Sequence, residues 1–167
     1  VAGDGTEFFM EAYTSPPQVI LVGGGHVSKA ISPLVHNLGF RVTVTDDRSE
    51  FANKERFSEA ENVLVADPEE AFNKLKVNKN TYILIATRGH KSDNLALEMA
   101  VNTSARYVGL LGSKRKAILI LRELVDKGIP IERVRQVRSP AGLNIHARTP
   151  DEIAISIVSE MLLFRLG

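Results

Sequence analysis

Cysteine is absent from these 167 residues, and so is tryptophan. Without a thiol the chain can form no disulfide, offers no thiolate to zinc or an iron–sulfur cluster, and holds no cysteine nucleophile. The lack fits a reducing compartment, so a cytoplasmic location is expected. Aromatic residues make up only 6%, which leaves the core to be built from aliphatic side chains. A dominant charge is lacking too: 21 Lys and Arg against 20 Asp and Glu leave a net +1. Such a balance gives no field to hold nucleic acid or an anionic membrane, and neither is expected as a partner. No run approaches the roughly 20 apolar residues of a membrane helix. The opening residues 1–11 lack the basic start and apolar centre of a secretion signal. Repeats and low-complexity tracts are also missing. What remains has the length of one ordinary domain, enough to bury a core.

Short Val- and Ile-rich runs at 19–22, 42–45, 63–65, 82–86 and 107–111 alternate with longer helical patterns at 27–38, near 69–75, at 94–101 and at 113–127. Runs apolar at consecutive positions suit strands covered on both faces. Their alternation with helices predicts an α/β fold: a doubly wound, parallel, Rossmann-like sheet in a three-layer α/β/α arrangement over residues 17–167. Gly39 and Gly128 stand where left-handed caps end helices. Pro33 lies inside the first helix and predicts a local irregularity. Thr149, Pro150 and Glu152 form a capping box at the start of the last helix, whose apolar face carries Ile153, Ile157, Met161 and Phe164. Residues 1–16 do not fit the alternation; they read as an N-terminal arm or a remnant of a neighbouring domain. The Phe8-Phe9-Met10 cluster reads as a strand that belonged to such a neighbour, and the apolar residues within 1–13 suggest a homodimer contact through the arm.

The first strand runs into Gly23-Gly24-Gly25-His26-Val27-Ser28 and then a helix. In the dinucleotide-binding fingerprint the first glycine makes the tight turn and the second lets backbone approach a pyrophosphate. Ser28 stands for the third, small enough for close helix–strand packing. The helix start presents unpaired N–H groups to the phosphate. Asp46 closes the second strand, where such folds read ribose hydroxyls. Asp47 and Arg48 follow; Arg48 would either offset a 2′-phosphate or pair with the two acids.

Two more loops are expected at this sheet edge. Thr87-Arg88-Gly89-His90 follows the fourth strand, and His26 and His90 are expected to approach each other. With Thr87 they would make ligand contacts, a proton-transfer pair or half of a metal site, although no metal-binding spacing is present. After the fifth strand, Gly112-Ser113-Lys114-Arg115-Lys116 opens a helix with cations against its dipole. That is either a second anion site or a solvated basic turn. The turn-rich segment 138–150 either closes over the site or merely connects two elements.

Taken together, Gly23–Val27, Asp46–Arg48, Gly109–Ser113, Ser139–Leu143 and Thr149–Ala154 resemble the XdhC/CoxI family, and specifically its C-terminal Rossmann domain. These are accessory proteins of xanthine dehydrogenase-type and carbon monoxide dehydrogenase-type molybdenum hydroxylases. The resemblance implies binding of a molybdopterin-type molybdenum cofactor, free or as its dinucleotide. It further implies support of sulfuration by a cysteine desulfurase partner and insertion into a molybdenum hydroxylase apo-enzyme. A non-catalytic cofactor chaperone is the expectation that follows. The alternatives are an NAD(P)-binding oxidoreductase and a nucleotide-sensing regulatory domain. Two features differ from the family: the cysteine-bearing N-terminal domain has no counterpart here, and Thr87-Arg88-Gly89-His90 stands where many relatives read Thr-His-Asp.

Overall fold

A computed structural model describes residues 15–166. The chain alternates β1 (Gln18–Val22), α1 (His26–Asn37), β2 (Arg41–Asp46), β3 (Asn62–Val65), α2 (Pro68–Lys74), β4 (Thr81–Ile85), α3 (His90–Val101), β5 (Tyr107–Leu110), α4 (Lys114–Asp126), α5 (Ile131–Val134) and α6 (Pro150–Leu166). All strand pairings are parallel, in the order β3-β2-β1-β4-β5. The chain order reverses between β1 and β4, and their C-terminal ends flank the switch point where ligands bind in such sheets.

The strands are apolar on consecutive positions because both faces are covered. Val19 and Leu21 of β1 point into one core with Ile31 and Val35 of α1 and Ile157 and Met161 of α6. Ile20 and Val22 point into the other, with Leu97 of α3 and Ile120 and Leu124 of α4. This is the three-layer Rossmann-like arrangement, and each strand lies within one residue of its expected bounds. The residues 1–14, and with them the expected arm contact, lie outside the described residues.

Helix ends follow local chemistry. Gly39 and Gly128 have φ of 83° and 91° after their helices. Asp67 caps α2 by accepting from the Glu70 amide at 2.8 Å. At α6 the Glu152 amide donates to Thr149 Oγ1 at 3.2 Å, while Glu152 Oε2 accepts from the Arg148 and Thr149 amides at 2.7 and 3.1 Å. Pro33 is accommodated inside a continuous α1. α3 begins at His90, a turn earlier than its apolar pattern starts, and its first-turn acid Asp93 is buried. The single turn α5 had no periodic signal.

α1 and α6 run parallel on one face. Their starts share a groove lined by His26, Lys29, Pro150 and Asp151. At the far end Arg165 Nη1 donates to the Leu38 carbonyl at 2.8 Å. Both helix N-termini therefore lie at the C-terminal edge of the sheet.

Candidate functional site

The three glycines after β1 stand in three different environments. Gly23 adopts φ 113°, and a Cβ there would sit 2.2 Å from the Ala86 carbonyl oxygen. Its amide donates to the Thr45 carbonyl at 2.7 Å. Gly24 is constrained by space instead of a forbidden φ: a Cβ would lie 2.2 Å from the Phe51 carbonyl oxygen. Gly25 is the N-cap of α1 with φ −69° and ψ −172°, a conformation open to any residue. A Cβ on Gly25 would meet no protein atom within 4 Å. Nothing inside the protein requires glycine there, and the helix it opens has neither a side-chain cap nor an acid in its first turn.

The turn is held from below by side chains that grip its backbone. The Gly24 amide donates to Asp46 Oδ2 at 2.9 Å. Asp46 also accepts from the Arg48 amide at 3.0 Å, Nε at 2.9 Å and Nη2 at 3.1 Å. Burial works to raise the Asp46 carboxyl, but the Arg48 side chain and the two amides outweigh it and hold the group below its usual range. Arg48 in turn lies 3.8 Å over the Phe51 ring, and Asp47 Oδ1 stands 3.7 Å from its Nε. Arg48 thus pairs with both acids. From the long β2–β3 loop, Arg56 Nε donates to the Gly24 carbonyl at 3.0 Å.

Above this base opens a narrow crevice of about 70 Å³. Val22 and Gly23 end β1 there, Thr45 to Arg48 end β2, Ala66 and Pro68 follow β3, and Thr87, Arg88 and Ser92 follow β4. Gly23, Asp46, Asp47, Arg48, Thr87 and Arg88 therefore line one space, as their spacing suggested. Behind Thr87 is a small network. Its hydroxyl donates to Asp93, which is fully buried, and Lys116 Nζ pairs with the other Asp93 oxygen. Gly112, at φ 153°, leaves room for the Lys116 stem, whose Cδ would lie 3.3 Å from a Cβ at that position.

The remaining candidates are dispersed. His26 is exposed beside the α1–α6 groove with half-buried Val27 following it, whereas the His90 ring nitrogen meets Glu123 Oε1 of α4 at 2.9 Å. The two imidazoles face different neighbours instead of each other. Gly89 supplies a positive φ of 101° just before α3. Ser113 caps α4, accepting from the Lys116 amide at 3.3 Å, and Lys114 and Arg115 are exposed. The cation next in line is already compensated by Asp93, so the basic start of α4 is balanced in part from within. Among the described residues no group of three or more His, Asp or Glu is placed to hold a metal ion.

The turn-rich segment is fastened to the fold. Arg138 forms a parallel bridge to Gly109, its amide donating to Val108 at 2.9 Å, and the Ala141 amide donates to Leu110 at 3.0 Å. Buried Glu160 of α6 accepts from Tyr107 Oη at 2.7 Å, the Gly142 amide at 2.9 Å and Arg138 Nε at 3.2 Å. Burial and the Glu160 carboxylate push the Tyr107 phenol far above its ordinary range. The segment extends the β5 edge and delivers the chain to α6.

Comparison with known proteins agrees with this fold. A family model for the XdhC Rossmann domain matches residues 19–161. The chain belongs to that family. It is 35% identical over 161 residues to uncharacterized protein YqeB of Escherichia coli K12, covering 96% of this chain and 29% of that protein. It is 29% identical to a probable xanthine dehydrogenase subunit of Bacillus subtilis, covering 94% of this chain and 46% of the relative. A 28% identical match over 91 residues links it to the molybdenum cofactor insertion chaperone PaoD of Escherichia coli, covering 54% of this chain and 29% of PaoD. A crystal structure of a xanthine dehydrogenase from Bacillus halodurans superposes with a TM-score of 0.81 at 30% identity, over 92% of this chain and 44% of that one. The chain spans less than half the length of each of these relatives.

Sequence reasoning missed Arg56, Asp93 and Glu160, and it marked Lys116 without its partner. Arg56 sits in a loop with no pattern to flag it. Asp93 carried a weak signal as a first-turn acid, which reads equally well as a solvated helix start.

Proposed function

We propose that this domain binds a molybdopterin-type molybdenum cofactor and serves its delivery to a molybdenum hydroxylase apo-enzyme. The observation that carries the reading is Gly25: a glycine with no partner inside the protein, at the uncapped start of a 12-residue helix. Open space over unpaired amides is what a phosphate group requires. The phosphate of the cofactor would rest on residues 23–27, with Arg48 and Arg88 as nearby cations. The pterin or nucleoside end would enter the crevice beside Asp46 and Thr87. The names of the B. subtilis and PaoD relatives support this choice of cargo.

The cofactor is cargo here, and the work of the domain is to hold it out of water and give it up. These 167 residues carry no thiol for a persulfide. Sulfur would come from a partner such as a cysteine desulfurase, while this domain shelters the recipient. A nicotinamide dinucleotide is the second reading, favoured by Asp46 at the end of β2. Against it, both Asp46 oxygens are already engaged by Gly24 and Arg48.

The test is delivery. The domain loaded with purified molybdenum cofactor is incubated with an apo-hydroxylase, and activity is followed against an equal amount of free cofactor. Faster and fuller activation from the loaded domain supports the reading. Activation no better than with free cofactor, together with micromolar binding of NAD(H), would replace it by the second.

A further inference from the structure

Three residues from three segments, Thr87 after β4, Asp93 in the first turn of α3 and Lys116 in that of α4, form a chain that the glycine turn does not need. Asp93 is fully buried, yet Lys116 is about one-third exposed and reaches in from the rim. A lysine ammonium has donors only, and a carboxylate facing it has acceptors only. The single proton of the Thr87 hydroxyl is accordingly committed to Asp93 Oδ1. Only lone pairs are left on Thr87 Oγ1, and Thr87 lines the crevice.

We propose that Thr87 serves the crevice as a fixed hydrogen-bond acceptor that selects a ligand bearing a hydroxyl or amino donor at that wall, with Asp93 and Lys116 as positioning residues. The inference rests on the crevice being the cofactor site and adds which end of the ligand goes where. A phosphate at Thr87 would set acceptor against acceptor, so phosphate belongs to the Gly25 end. The sugar hydroxyls or ring amino group of a nucleoside or pterin belong to the Thr87 end. Lys116 faces the Asp93 oxygen that Thr87 does not use, and Gly112 makes room for its stem.

The test uses two probes in calorimetric titration: purified molybdenum cofactor, which carries donors, and inorganic sulfate, which offers none at neutral pH. Thr87→Val keeps the shape and removes the acceptor, so cofactor affinity falls about tenfold while sulfate affinity is unchanged. Thr87→Ser behaves as wild type. Lys116→Met lowers cofactor affinity severalfold, and Lys116→Arg, which keeps a cation against Asp93, restores it. Equal cofactor affinity in wild type and Thr87→Val would overturn the assignment, as would a parallel loss for both probes, the mark of a structural role. Failure of the wild-type domain to bind the cofactor would overturn the underlying site reading, and this assignment with it.

Discussion

Substituting the three glycines one at a time separates scaffold from site, because the structure gives each a different environment. Gly24→Ala places a methyl 2.2 Å from the Phe51 carbonyl oxygen, a backbone atom fixed by the β2–β3 loop. Relief requires moving that loop or breaking the Asp46 and Arg56 grip on the turn, at a cost of about 3 kcal/mol. Gly23→Ala meets the same overlap against Ala86 and adds the strain of a φ of 113°, together about 3–5 kcal/mol. Gly25→Ala has neither problem. Alanine is a poorer N-cap but restricts the unfolded chain more, and these opposing effects leave stability within about 1 kcal/mol of wild type. Gly25→Val likewise folds, but its side chain fills the space over the first amides of α1 and abolishes binding of the phosphate-bearing ligand. Urea denaturation followed by circular dichroism gives the stabilities, and calorimetric titration gives the binding. If Gly25→Ala destabilises as much as Gly24→Ala, the open space is not there. If Gly25→Val folds and binds as wild type does, the ligand approaches from elsewhere.

Other substitutions probe the supporting interactions. The Asp46 carboxyl titrates lower in the folded chain than its ordinary 3.8, so its contribution is full above that pH and is lost as pH falls through the folded value. Asp46→Asn turns an amide group toward the Gly24 and Arg48 donors, costs about 2 kcal/mol near neutrality and flattens the acid limb of stability measured by denaturation across the acidic range. Glu160→Ala strands the buried Tyr107 hydroxyl and the Gly142 amide and costs about 3 kcal/mol. Tyr107→Phe removes one bond and costs about 1 kcal/mol. Limited proteolysis should cut residues 138–149 much faster in Glu160→Ala than in Tyr107→Phe; equal rates would mean that Glu160 does not fasten the segment. Lys116→Met leaves the buried Asp93 carboxylate without its cation, whereas Asp93→Asn leaves a lysine that can turn to water. The first is therefore expected to destabilise more, by about 2 kcal/mol, and the reverse order in urea denaturation would contradict the pairing.

The layers of this fold were legible because the signals are local. Apolar runs of strand length bounded by Gly39, Gly128 and the Thr149 capping box each carry their own physical reason, and the structure keeps them to within a residue. The crevice was legible in part: β1, β2 and β4 must end together in a parallel sheet, which brings Gly23, Asp46 and Thr87 to one edge. Side-chain partners were not. That Asp46 grips Gly24 while Arg48 stacks on Phe51 depends on how the β2–β3 loop folds back, and no periodicity records that. His90 was expected toward His26, but it begins α3 on the opposite face of the sheet from α1 and finds Glu123. Lys116 read as a cation awaiting an external anion, and the anion proves to be Asp93, 23 residues earlier in the chain.

Whether the glycine turn and the crevice beside it form a molybdenum-cofactor site is tested most directly by native mass spectrometry. Wild-type domain and Gly25→Val are each incubated with equimolar molybdenum cofactor and NAD. The expected result is a one-to-one cofactor adduct on wild type, none on Gly25→Val, and both proteins equally folded. Wild type carrying NAD instead, or both proteins carrying the cofactor alike, would contradict the assignment.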